Sequence, residues 1–142
     1  MIRHHLWFKT DKFEIVPGED DETNPLCFGK QLAEWLRIKL ISCGYEVEPV
    51  IPEDWGWCVM CSRKPFMLFV GCVSMHDYAV SKPSDPIPKG NDVVWTCTVF
   101  AEQSLLGRIF KRIDTAEAVE KLFSQIHIAL SSEPDITFID EP

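Results

Sequence analysis

No apolar run in the 142 residues approaches the roughly 18 needed to cross a bilayer, and the opening Met1-Ile2-Arg3-His4-His5-Leu6-Trp7-Phe8-Lys9 is too interrupted by polar groups for a secretory h-region. No membrane partner is expected, and the reading is a cytoplasmic protein. Its six cysteines (Cys27, Cys43, Cys58, Cys61, Cys72, Cys97) then count as reduced thiols, because an even number implies a disulfide framework only in a secreted context. Basic residues are also scarce. With 14 Lys and Arg against 22 Asp and Glu the net charge is −8 and the pI about 4.9, which argues against nucleic acid as the partner. There is no glycine-rich turn between a strand and a helix, so Rossmann and P-loop readings have no support. Gly29-Lys30 lacks an upstream glycine at the required spacing, and its acidic neighbours would repel phosphate. No internal repeat, low-complexity tract or catalytic signature is present.

What is present suits one domain over residues 1–142. A chain of this length can bury roughly 70% of its unfolded surface, so no cofactor, metal or disulfide is needed. The run from Glu53 to Val73 reads as a core hairpin of two strands turning at Arg63, Lys64 and Pro65. Alternation puts Trp55, Trp57, Val59 and Cys61 on one face and Cys58 and Met60 on the other. In the return strand Phe66, Leu68, Val70 and Cys72 oppose Met67, Phe69, Gly71 and Val73. Both faces are apolar, whereas an antiparallel sheet usually keeps one polar. A helix, a loop or another chain should therefore cover the second face.

Around the hairpin, a first strand is expected near Lys12 to Pro17, followed by a solvated acidic loop at Glu19, Asp20, Asp21 and Glu22. Asn24-Pro25 has the chemistry of a helix start, and Phe28, Leu32, Trp35, Leu36, Leu40 and Cys43 recur at helical spacing up to a stop at Gly44. Tyr45 to Val50 alternates as a second strand, with Pro49 marking an edge or a bulge. Ser74 to Asp92 is a long loop rich in proline, and Val93 to Glu102 a clear strand. Gln103 to Ile113 is locally basic and reads as a short helical turn. Asp114 has the spacing of a capping-box residue for a helix through Val119, Leu122, Phe123, Ile126 and Leu130, and Ile136 to Ile139 forms a last short strand. The sum is an α+β fold, a mostly antiparallel sheet with two helices packed on one face.

Three constellations bear on function. Cys58-Val59-Met60-Cys61 has metal-site spacing, but residues three apart in a strand face opposite ways, so core cysteine is the preferred reading. Glu53 and Asp54 before the hairpin, with His76 and Asp77 after it, flank the same open end and could form an acid–base set; ordinary strand-end chemistry is the simpler account. Five tryptophans, Trp55 and Trp57 in particular, offer interface area if one face is exposed, though most belong in a core.

The stretches Phe13 to Glu19, Thr23-Asn24-Pro25, Gly29 to Leu36, Gly44-Tyr45 and above all Glu53-Asp54-Trp55-Gly56-Trp57 resemble a family of small acidic uncharacterised bacterial proteins, over about the first half of the chain. In size, acidity and tryptophan content the chain is similar to immunity proteins of bacterial toxin systems. That resemblance implies an inhibitor of a basic toxin and no catalytic residues. A non-catalytic binding protein is thus the first expectation, with Glu19, Asp20, Asp21, Glu22, Glu53, Asp54, Trp55, Trp57, His76 and Asp77 as its surface and a basic protein as its partner. A small hydrolase or transferase built on the acid–base set, and a homodimer scaffold, are the alternatives.

Overall fold

The computed structural model describes residues 4–76 and 79–142. Six strands, β1 (His5–Lys9), β2 (Ile51–Glu53), β3 (Gly56–Ser62), β4 (Met67–Met75), β5 (Val94–Glu102) and β6 (Thr137–Ile139), form one antiparallel sheet in the order β2-β3-β4-β5-β1-β6. Among the described residues the α-helices are α1 (Lys30–Ser42), α2 (Leu105–Phe110) and α3 (Ala116–Ser131). α1 and α3 pack on the same face. The leucines at positions 32, 36 and 40 of α1, and Val119, Leu122, Ile126 and Leu130 of α3, meet Phe8, Trp57, Val59, Val70, Cys72, Trp95, Cys97 and Val99 of the sheet in one core. This is the α+β architecture read from the sequence.

The elements differ from expectation where side chains compete for backbone groups. The first strand lies earlier, at His5–Lys9, and inserts between β5 and β6 with Phe8 fully buried. The alternating stretch around Phe13 is irregular instead, since Phe13 serves the core, its ring 5.5 Å from Trp35 and 6.3 Å from Trp95. Tyr45 to Val50 is not a strand. Arg37 from α1 donates from Nε to the Glu48 carbonyl (2.8 Å) and from Nη2 to the Val47 carbonyl (3.1 Å), removing acceptors that a ladder would need. Strand β2 begins only at Ile51, at the sheet edge, where Pro52 is tolerated.

The helix does not start at Asn24-Pro25. Leu26 takes a left-handed conformation (φ 70°), and the chain then runs beside β4, past the point where β3 begins: Ser74 N donates to the Phe28 carbonyl at 2.8 Å. Gly29 crosses so close that a Cβ would lie 2.7 Å from the Cys72 carbonyl oxygen. That contact and its φ of 151° require glycine. Only from Lys30 is the backbone free to coil. At the other end Gly44 (φ 100°) closes the helix as expected, with Gly44 N donating to Ile41 O and Tyr45 N to Leu40 O. Asp114 does not cap by side chain at the box position; Thr115 is the N-cap and Asp114 Oδ1 accepts from Ala116 N at 2.9 Å.

Candidate binding surfaces

The acidic run Glu19 to Glu22 divides into structural and exposed members. Glu19 is buried. Its Oε1 accepts from Gly29 N (2.7 Å) and Lys30 N (3.0 Å), and its Oε2 from Val16 N (2.9 Å). The N-cap Gly29 has no side chain to offer, so this carboxylate, reaching across from the loop, satisfies two N–H groups at the start of α1 and places negative charge at the positive end of the helix. Asp20 Oδ2 accepts from Leu26 N at 2.9 Å and holds the left-handed turn. Asp21 and Glu22 are exposed, and Glu22 lies 3.9 Å from Lys30 Nζ.

His76, half-buried, faces Phe28 (rings 5.8 Å apart), and its Nε2 is 2.9 Å from Ser74 Oγ. Burial lowers its pKa below the usual histidine value. It lines a groove of about 660 Å³ with Asp20, Asp21, Asp85 and Asp92. The structure thus joins His76 to the acidic loop and to the loop from Ser81 to Asp92. Glu53 and Asp54 are not among the residues that line this groove, so the four-residue acid–base set is not assembled there, and Asp77 lies outside the described residues. Cys58 and Cys61 face opposite sides of the sheet, in two separate clusters. Burial pushes their thiols up to about 11 and about 12 respectively. Among the described residues no group of three or more His, Cys, Asp or Glu side chains is placed to hold a metal ion.

At the hairpin end the two tryptophans part company. Trp57 is in the core, 1% exposed, with Lys30 Nζ 5.2 Å from its ring centroid. Trp55 does not share its face. Asp54 and Trp55 form the two-residue turn between Glu53 and Gly56, and there strand alternation no longer dictates direction. The Trp55 ring lies over Gly71, where a Cβ would meet it at 2.8 Å, so the missing side chain of Gly71 makes its seat. On this second sheet face Trp55, Phe69 and Phe100 form an aromatic cluster with centroids 5.1 to 6.4 Å apart, next to Cys58 and Met60 and flanked by Ile51 and Met67.

Neither long helix covers this face. Trp55 is 40% and Phe100 38% exposed. Three exposed carboxylates stand around it: Glu53, two residues along β2 from Ile51; Asp54 in the turn; and Glu102, opposite Met67 at the end of β5. Sequence alternation identified the apolar second face, but it put Trp55 on the opposite face with Trp57, and Glu53 and Asp54 stood out only as strand-end and acidic residues. Phe100 was missed as a surface residue, because nothing local distinguishes it from a core aromatic; Phe69 beside it is buried.

Helix α2 is the other apolar surface. Ser104 caps it, its Oγ accepting from Gly107 N at 3.1 Å, yet Leu105, Leu106, Ile109 and Phe110 are 69%, 67%, 72% and 82% exposed. Comparison with models of protein families, with characterised proteins and with solved structures finds no match to this chain.

Proposed function

We propose that the chain is a non-catalytic protein-binding module that works through the sheet face no helix covers. The observation that carries this reading is the Trp55–Phe69–Phe100 cluster, partly exposed and bordered by Glu53, Asp54 and Glu102. Rigid aromatics over a small residue, with charge at the rim, have the composition of an interface hot spot. The acidic border and the net charge of −8 favour a basic partner with an apolar centre, drawn in by electrostatic steering. An immunity-type inhibitor that masks a basic toxin is one member of this class.

The test is affinity capture with the wild-type chain and with Phe100→Glu, at low and high salt. A partner held by the wild type and released by Phe100→Glu is the expected result. Equal capture by both proteins would remove the face from consideration.

A further inference from the structure

The basic, apolar element that this face calls for occurs in the chain itself. From Gln103 to Ile113 there is no acidic residue, while Arg108, Lys111 and Arg112 are basic, in a chain whose net charge is −8. Helix α2, inside that stretch, holds four large apolar side chains in water.

It is not a loose excursion. Gln103 closes the segment with its side-chain amide, Nε2 donating to the Lys111 carbonyl at 2.6 Å and Oε1 accepting from Ile113 N at 3.1 Å. Gly107 lets the cap close, since a Cβ there would lie 2.9 Å from Ser104 Oγ and 3.2 Å from Gln103 Nε2. A pre-set helix loses less entropy on docking than a disordered one.

Resting on the binding-module reading, we infer that the occupant of the open face is α2 of a second copy of this chain, in a reciprocal dimer. Phe110 and Ile109 of one copy seat on Trp55, Phe69 and Phe100 of the other. Arg108, Lys111 and Arg112 meet the rim carboxylates Glu53, Asp54 and Glu102. Two-fold symmetry repeats the contact, and it needs helix and face on one chain, as here. Ile109 and Phe110 leave on the order of 300 Å² of apolar surface in water and Trp55 with Phe100 about 200 Å² more, taking roughly 200 Å² per large side chain. Buried reciprocally, these patches remove on the order of 1,000 Å², the size a specific interface must at least reach, before the flanking ion pairs are added. A membrane surface is the weaker occupant, because the net charge of −8 is repelled by anionic lipid.

The experiment is sedimentation velocity of the full chain from micromolar to hundreds of micromolar, under reducing conditions because Cys43 is exposed. The wild type is expected to dimerise. Phe110→Glu, at a side chain 82% exposed in the monomer, should weaken the dimer by about tenfold or more, as should Phe100→Glu. Gln103→Ala, which frees α2 without touching its apolar face, should weaken it less.

A wild type that stays monomeric throughout overturns the inference, as does a dimer indifferent to both glutamate variants. A monomer that binds vesicles of anionic phospholipid through Phe110 overturns it in favour of lipid. If the monomer still captures a different protein and Phe100→Glu releases it, the dimer falls and the binding-module reading stands. If neither a second copy nor another protein binds the face, both fall.

Discussion

Removing the carboxylate of Glu19 tests whether an acidic loop can be the cap of a helix that begins eleven residues later. Three backbone N–H groups, from Val16, Gly29 and Lys30, converge on its two oxygens. Hydrogen bonds to a charged group contribute about 1.5–3 kcal/mol each, not additively, and water can recover part of the loss at the half-exposed end of the site. Glu19→Ala should therefore cost about 3–5 kcal/mol, a large share of the 5–15 kcal/mol typical of a domain. The assay is urea unfolding followed by far-UV circular dichroism, with the midpoint falling at unchanged slope. Glu19→Gln should lie between, since an amide keeps an acceptor for Gly29 and Lys30 but turns an NH₂ toward Val16 N. Asp21→Ala and Glu22→Ala, at exposed positions in the same acidic run, should stay within about 0.5 kcal/mol of wild type. If Glu19→Ala falls within about 1 kcal/mol of Asp21→Ala, the capping argument is refuted.

Gly71→Ala places a methyl 2.8 Å from Trp55 and 3.1 Å from Phe100, so the Trp55 ring must leave its seat. A red shift in tryptophan emission and loss of self-association or partner capture are expected, with a stability loss of about 1–3 kcal/mol. Gly29→Ala forces a Cβ to 2.7 Å from the Cys72 carbonyl at a backbone angle only glycine favours; chemical denaturation should show a loss of roughly 3 kcal/mol or more. Burial lowers the pKa of His76, so the unfolded chain binds its proton more readily than the native state does. That contribution is fully present above the unfolded value of about 6.5 and is lost as pH falls through the lower folded value. Denaturation midpoints between pH 7 and 5 should decline in wild type and less in His76→Gln. Cys43 is exposed, whereas burial holds the Cys58 and Cys61 thiols at about 11 and about 12. A thiol reagent at neutral pH should titrate Cys43 quickly in the native protein and the buried thiols only after unfolding.

Period and punctuation by themselves determined the hairpin, the strand from Val94 to Glu102, the two long helices and the α+β class. The signals there, alternation in Trp57 to Cys61 and the leucines at 32, 36 and 40, are local, and burial of one face rewards them directly. The end of α1 was legible at Gly44 for the same reason, because a left-handed glycine completes the last turn without outside help. Its start was not. Asn24-Pro25 has cap chemistry, but Ser74 N competes for the Phe28 carbonyl and Glu19 supplies the cap from another loop. Tyr45 to Val50 has strand alternation, but Arg37 takes two of its carbonyls. Each of those failures involves a partner distant in sequence.

The candidate surface divides in the same way. An apolar second face was readable from alternation, whereas the seating of Trp55 depends on Gly71, sixteen residues on, and its companion Phe100 comes from a different strand. Carboxylates two residues apart take opposite roles, Glu19 inside and Asp21 outside, because the tertiary fold alone brings backbone N–H groups to one of them. Composition sets which groups must be buried or paired; which partner satisfies each is decided only when the chain has closed on itself.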